Sequence, residues 1–326
     1  MASTVRTKHG KALPLLLVLG VFALALGRVI PLISPLLIAL ILGAVATNLP
    51  MRADGVLRSH DASTKLVLRL GVVLIGLRLP LQEIAEIGPR GVVVILLAIV
   101  VTFAFTCLLG DRLGLDRGLV TMIAAGFSVC GAAAIAAVEG GIRRRREDVA
   151  LAIVLVTVFG SLMIVVLPLT AGMLDMTDTQ TGVWAGAAIH EVAQVVAAAS
   201  TAGTVGIAMA MTVKLGRVAL LAPVYVVARR RDGARTSTDG SAPLVPWFVI
   251  GFLISAALRS ADILPGTVLD VADVATTVLL AAAMFGLGLG MVVRDLFPIP
   301  VRAVGLAAAS TLVAASVSLA STLLLF

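Results

Sequence analysis

The stretch GVWAGAAIHEVAQVVAAAS (182–200), continued by TAGTVGIAMAMTVKLGRVALLAPVYVVA (201–228), decides the class of fold. Both parts are apolar enough for a bilayer, yet each holds polar groups near its middle: His190, Glu191 and Gln194 in the first, Lys214 and Arg217 in the second. A charge at the centre of a membrane helix costs roughly 2.5–3.5 kcal/mol on insertion scales, so these groups need a partner or an aqueous cavity. Gly186 interrupts the first part, which reads either as a full crossing helix or as a hairpin entering and leaving on one side. A second stretch, Gly118 to Val138, has the same build, with Gly126, Gly131, Ser128 and Cys130 inside it.

Outward from these stretches the chain stays apolar. Of its 326 residues 60% are hydrophobic and 13% charged, too much apolar surface for one soluble core. Apolar runs recur near 12–30, 35–50, 62–80, 90–109, 147–170, 204–228, 245–261, 271–293 and 301–325. Each is long enough, or nearly so, to cross about 30 Å of hydrocarbon. The N-terminal order of Arg6, Lys8 and Lys11 before an apolar run mimics a signal peptide, but the next run needs this one as a helical partner, so it reads as the first span. The expectation is an all-α polytopic membrane protein with about 9 to 11 membrane segments, 1–326 forming a single integral membrane transport domain.

The net charge of +7 does not point to nucleic acid, because the basic residues cluster in short loops without interleaved aromatics. Cys107 and Cys130 lie far apart inside apolar runs, so neither a zinc site nor a disulfide framework is indicated.

The loop charges favour hairpins. With a cytoplasmic N-terminus and both interrupted stretches crossing fully, Arg143 to Arg146 fall outside the cell, against the positive-inside rule. With both stretches re-entrant, the cytoplasmic side collects Arg143 to Arg146 and Arg229 to Arg231, while Asp175, Asp178 and Asp270 lie outside. The Arg-, Ser-, Thr- and Gly-rich stretch 229–246 then reads as a cytoplasmic loop. Internal similarity agrees. GFSVCGAAAIAAV (126–138) and TVFGSLMIVVLP (157–168) resemble GAAIHEVAQVVAA (186–198) and TVKLGRVALLAP (212–223), and VVLIGLRL (72–79) resembles AAMFGLGL (282–289). Under the hairpin topology the members of each pair run in opposite directions, as inverted repeats do.

Three groups of residues carry possible chemistry. Lys214 and Arg217, three residues apart, share a helix face and read either as an anion-binding pair or as one side of an internal salt bridge to Glu191. His190, Glu191 and Gln194 have spacings that place Glu191 and His190 each on a helix face shared with Gln194; they read as substrate ligands, as carriers of a coupling proton, or as a packing network. His190-Glu191-Val192-Ala193-Gln194 misses the zinc-protease motif HExxH at its second histidine, so no metal site is expected. Ser128, Cys130 and Gly131 mark a turn where backbone N–H groups can meet an anion, although small residues also serve close helix packing. Arg78 reads as snorkelling at a helix end, and Glu139 as a partner for the nearby arginines.

RLGVVLIGLRLPLQEI (69–84), GFSVCGAAAIAA (126–137), EDVALAIVLVTVFGSL (147–162), GVWAGAAIHEVAQVVAA (182–198) and VKLGRVALLAPV (213–224) resemble the YeiH-type family of bacterial inner-membrane proteins, classed as sulfate exporters. The resemblance covers nearly the whole chain. It implies a candidate substrate site at Ser128, Cys130, Gly131, His190, Glu191, Gln194, Lys214 and Arg217, with Ala132 and Ala133 standing where Gly and Ser are common. The expected function is a secondary transporter, not an enzyme. It would move a small anion, sulfate or sulfonate-like, by alternating access around a midplane site in the bacterial inner membrane, without a cofactor and with H+ or Na+ as coupling ion. The alternative is a passive anion channel or non-transporting membrane module. Small-residue helix faces leave a homodimer open.

Overall fold

Hydrocarbon offers no water to satisfy main-chain N–H and C=O groups, so apolar runs of this length fold as helices. The computed structural model describes residues 12–29, 35–48, 60–78, 87–231, 247–289 and 300–326, and their regular structure is helical throughout, with no strand among the described residues. In chain order the helices are α1 (Ala12–Val29), α2 (Pro35–Asn48), α3 (His60–Ile75), α4 (Gly88–Arg112), α5 (Arg117–Ser128), α6 (Ala132–Glu139), α7 (Arg146–Met173), α8 (Asp178–Ala188), α9 (Val192–Ala199), α10 (Gly203–Ala219), α11 (Leu221–Arg231), α12 (Trp247–Ser260), α13 (Gly266–Leu289) and α14 (Val301–Leu325).

Five stretches are long and apolar enough to cross a membrane: 88–112, 147–173, 192–219, 266–289 and 301–325. The third is not one helix, because Gly203, at φ 62°, divides it into α9 and α10. The expected span 204–228 is likewise broken at Leu220, with Pro223 opening α11.

Packing separates the chain into two compact units, one of Met1–Arg78 with Pro246–Pro298 and one of Leu79–Val245 with Ile299–Phe326. The first is built on α13. Gly20 of α1 lies against the Val278 carbonyl, Gly43 of α2 against Phe285 and Gly288, and Gly71 of α3 against Leu280. Glycines at these contacts let backbones approach where a bilayer supplies no hydrophobic drive between helices. Gly71 meets Leu280, Thr64 meets Gly286, and Arg78 meets Asp273, so α3 and α13 run antiparallel. These are the helices that carry the similar segments 72–79 and 282–289, and residue 79 lies outside the described residues. Arg78 does more than snorkel: its guanidinium pairs with Asp273 at 2.5 Å and donates to Thr277 Oγ1 at 2.7 Å.

The second unit contains both glycine-interrupted stretches. Gly118, at the start of α5, lies against the carbonyl of Arg143, just beyond α6, and Gly126 packs on Ile135. Helices α5 and α6 therefore fold back as a hairpin with its open end at the arginine run. Gly206, at the start of α10, sits within reach of the carbonyls of Asp178 and Ala199, which begin α8 and end α9. That pair is a second hairpin. Helix α7, 28 residues long, leads from the open end of the first hairpin to that of the second, so the hairpins enter from opposite ends and their tips meet in between. Helix α10 then runs parallel to α8, Gly182 against Gly206 and Gly186 against Ala210. Glu139 pairs with Arg144 at the first hairpin's open end. Arg229 to Arg231 belong to α11 rather than to the expected 229–246 loop, whose remaining residues, 232–246, lie outside the described ones.

Candidate functional site

Each hairpin turns through three residues, Val129-Cys130-Gly131 in the first and Ile189-His190-Glu191 in the second. At such a break one helix ends with free carbonyls and a negative dipole end, while the next begins with free N–H groups and a positive one. Gly131 adopts φ 70°, which a glycine reaches without penalty.

The carbonyl ends are held by Lys214 and Arg217, both fully buried on α10. Lys214 Nζ donates to the carbonyls of Val129 at 2.9 Å, Ile189 at 2.8 Å and His190 at 2.6 Å. Arg217 donates through Nε to Ser128 O at 3.1 Å, through Nη2 to Phe127 O at 3.0 Å, and through Nη1 to the carbonyls of Gly186, Ala187 and Ile189 at 3.1, 2.7 and 2.9 Å. Both cations thus bind the C-terminal ends of α5 and α8 and pin the two tips together. The Glu191 salt bridge weighed for Lys214 gives way to these carbonyls, which already take all three ammonium protons. The positive charge is not cancelled by a carboxylate but spread over carbonyl dipoles.

Glu191 faces the other side of the junction. It is the N-cap of α9, with extended backbone, and only 8% exposed. Its carboxylate lies against the Ala132 N–H at the N-terminus of α6 and accepts from Thr157 Oγ1 at 3.5 Å. A β-carbon on Gly131 would come within 2.7 Å of Glu191 Cγ, so the missing side chain at 131 is what admits the acid. Cys130 is buried beside it, near the Ala134 N–H.

His190 and Gln194 take separate positions. The helical-face pairing expected for them fails because His190 precedes α9 and lies in the turn. His190 Nε2 is 3.3 Å from Thr311 Oγ1, whose own hydroxyl donates to Ala307 O. The imidazole is fully buried and also meets the Phe127 main chain. Gln194 accepts from the Glu191 N–H at 3.2 Å and donates to Thr157 O and Ser161 Oγ at 3.1 and 3.3 Å, tying α9 to α7. Ser128 returns its hydroxyl to Ala125 O at 3.4 Å, and it is its carbonyl that enters the junction. All eight expected positions thus gather at or one turn from the meeting tips. Thr157, Gly160, Ser161 and Thr311 join them without having been singled out. The polar mid-span residues in TVFGS (157–161) and in α14 were the available signal.

No group of three or more His, Cys, Asp or Glu side chains converges on a metal position among the described residues. Helices of crossing length, together with two opposed hairpins that meet over buried cations in the second unit, define a polytopic membrane protein with discontinuous helices. The chain belongs to the family described as Conserved hypothetical protein 698, whose model matches residues 11–307. It is 41% identical to a UPF0324 membrane protein of Corynebacterium glutamicum over 295 residues, 90% of this chain and 86% of the relative. It is 40% identical to one of Pseudomonas aeruginosa over 272 residues, covering 79% and 77%, and 36% identical to one of Listeria monocytogenes over 233 residues, covering 70% and 69%. The YeiH-type resemblance read from the motifs is consistent with this membership. No solved structure matches.

Proposed function

We propose that the chain is a secondary transporter of a small inorganic or organic oxyanion, sulfate or sulfonate-like, that exposes the tip junction alternately to the two faces of the membrane. The observation that carries this reading is the pair of fully buried cations, Lys214 and Arg217, held where half-helices from opposite ends meet. Two positive charges and the N-termini of α6 and α9 give the junction a positive potential that favours an anion. Discontinuous helices that meet near the midplane are the usual way a carrier builds such a site. The chemistry is binding and release, with no covalent step.

Purified protein in proteoliposomes preloaded with unlabelled sulfate should take up labelled sulfate by counterflow, and uptake should saturate. Flux that neither saturates nor shows counterflow identifies a channel instead, and no flux for sulfate, sulfite or a short alkanesulfonate removes the transporter reading.

A further inference from the structure

Resting on the anion-carrier reading, we propose that Glu191 is the proton-carrying group of the cycle: its carboxylate acts as an internal anion at the N-terminus of α6, and a sulfate-class dianion binds there as Glu191 takes up a proton and withdraws.

Several observations converge on this one side chain. It is a buried carboxylate seated against the Ala132 N–H, at the position where a half-helix N-terminus favours a bound oxyanion. Its hydroxyl partner, Thr157 Oγ1, stands at 3.5 Å, and its Cγ packs directly on Gly131, where any larger residue would displace it. The cations that might have locked it are committed elsewhere, Lys214 Nζ to three carbonyls and Arg217 to five.

Charge balance gives the stoichiometry. The ionisable groups that act on Glu191 are Lys214 from α10 and Cys130 from the opposing tip, with Arg217 and His190 at the same junction, while α7 presents the uncharged Thr157. Lys214 and Arg217 together supply two positive charges, and a dianion neutralises them. Adding the Glu191 carboxylate leaves one uncompensated negative charge in a low-dielectric site. A proton on Glu191 restores neutrality, so one proton accompanies each dianion, entering at one face and leaving at the other with the solute.

Calorimetric titration of the purified full-length protein with sulfate, in buffers of different ionisation enthalpy, counts the protons taken up. Wild type should take up close to one per sulfate, and above the carboxyl's titration range its affinity should fall about tenfold per pH unit. Glu191→Gln should bind sulfate with no proton uptake and a flat pH profile. In proteoliposomes that variant should lose accumulation driven by an imposed pH gradient. Sulfate binding by wild type without proton uptake, or an unchanged proton count in Glu191→Gln, overturns the assignment of Glu191 and leaves the carrier reading standing. If Glu191→Gln does not fold, the wild-type count and the pH profile of Glu191→Asp, which must shift with the new carboxyl, decide the matter. Binding of neither sulfate nor ethanesulfonate by wild type at any pH overturns the carrier reading and this inference with it.

Discussion

Lys214 and Arg217 meet on a single main-chain oxygen: the Ile189 carbonyl accepts from Lys214 Nζ at 2.8 Å and from Arg217 Nη1 at 2.9 Å. One turn of α10 therefore grips the same peptide group twice, and through Val129, Ser128 and Phe127 it grips the opposing tip as well. Arg217 reaches both tips because its planar fork carries five N–H donors in fixed directions, whereas an ammonium offers three from one point. Arg217→Lys keeps the charge but orphans several buried carbonyls, each worth about 1–3 kcal/mol when unpaired. The expected loss is on the order of 3 kcal/mol, read as a lowered unfolding midpoint in detergent, and a midpoint within a degree of wild type would show that the grip is not structural.

Gly160 gives Gln194 its place on α7. A β-carbon at 160 would run into Gln194 Oε1 and also stand 2.8 Å from its Cδ, against an amide already bonded to Thr157 O, Ser161 Oγ and the Glu191 N–H. Gly160→Ala should cost about 1–3 kcal/mol through overpacking. In a Gln194→Ala background the collision partner is gone, so the same substitution should cost much less. Additive losses in a double-mutant cycle of unfolding midpoints would refute the contact.

His190 depends on Thr311. Thr311→Val removes the hydroxyl that stands 3.3 Å from His190 Nε2 and leaves a buried ring nitrogen without it. A loss of about 1–2 kcal/mol is expected, with Thr311→Ser close to wild type because the hydroxyl is retained. Equal losses in both variants would mean that the methyl group's packing, not the hydrogen bond, is what matters.

The opposed entry of the hairpins is open to chemical labelling. Gly172 lies at the end of α7 next to the second hairpin, with open space where a β-carbon would sit, and Arg143 is exposed at the open end of the first. Gly172→Cys should react with a membrane-impermeant maleimide in intact cells, and Arg143→Cys only after permeabilisation, as the positive-inside rule requires. Labelling of both from one side would sink the arrangement.

The hairpins were legible in the sequence because two independent signals coincide there: glycines inside apolar stretches, and an arginine run at 143–146 that full crossings would strand on the wrong side. The charged pair on α10 was equally plain, since a lysine and an arginine among apolar residues at that depth demand an explanation. Their partners were not. Every residue carries a carbonyl, so a side chain that binds main-chain oxygens leaves no mark on the residues it binds, and the visible carboxylate at Glu191 drew the pairing instead. Gln194 and His190 were separated by the turn at 189–191, which a 3.6-residue periodicity run straight through the segment cannot show. Gly160 and Thr311 looked like ordinary small residues of a membrane helix.

Because α10 reads the hairpin tips through peptide oxygens, its hold is indifferent to which side chains stand at Phe127, Val129, Ala187 or Ile189. Those four side chains are fully buried, so the tips should tolerate substitutions there that keep apolar volume while the main-chain grip stays the same. Within this family, loss of Lys214 or Arg217 should therefore mark copies that no longer fold around a junction at all.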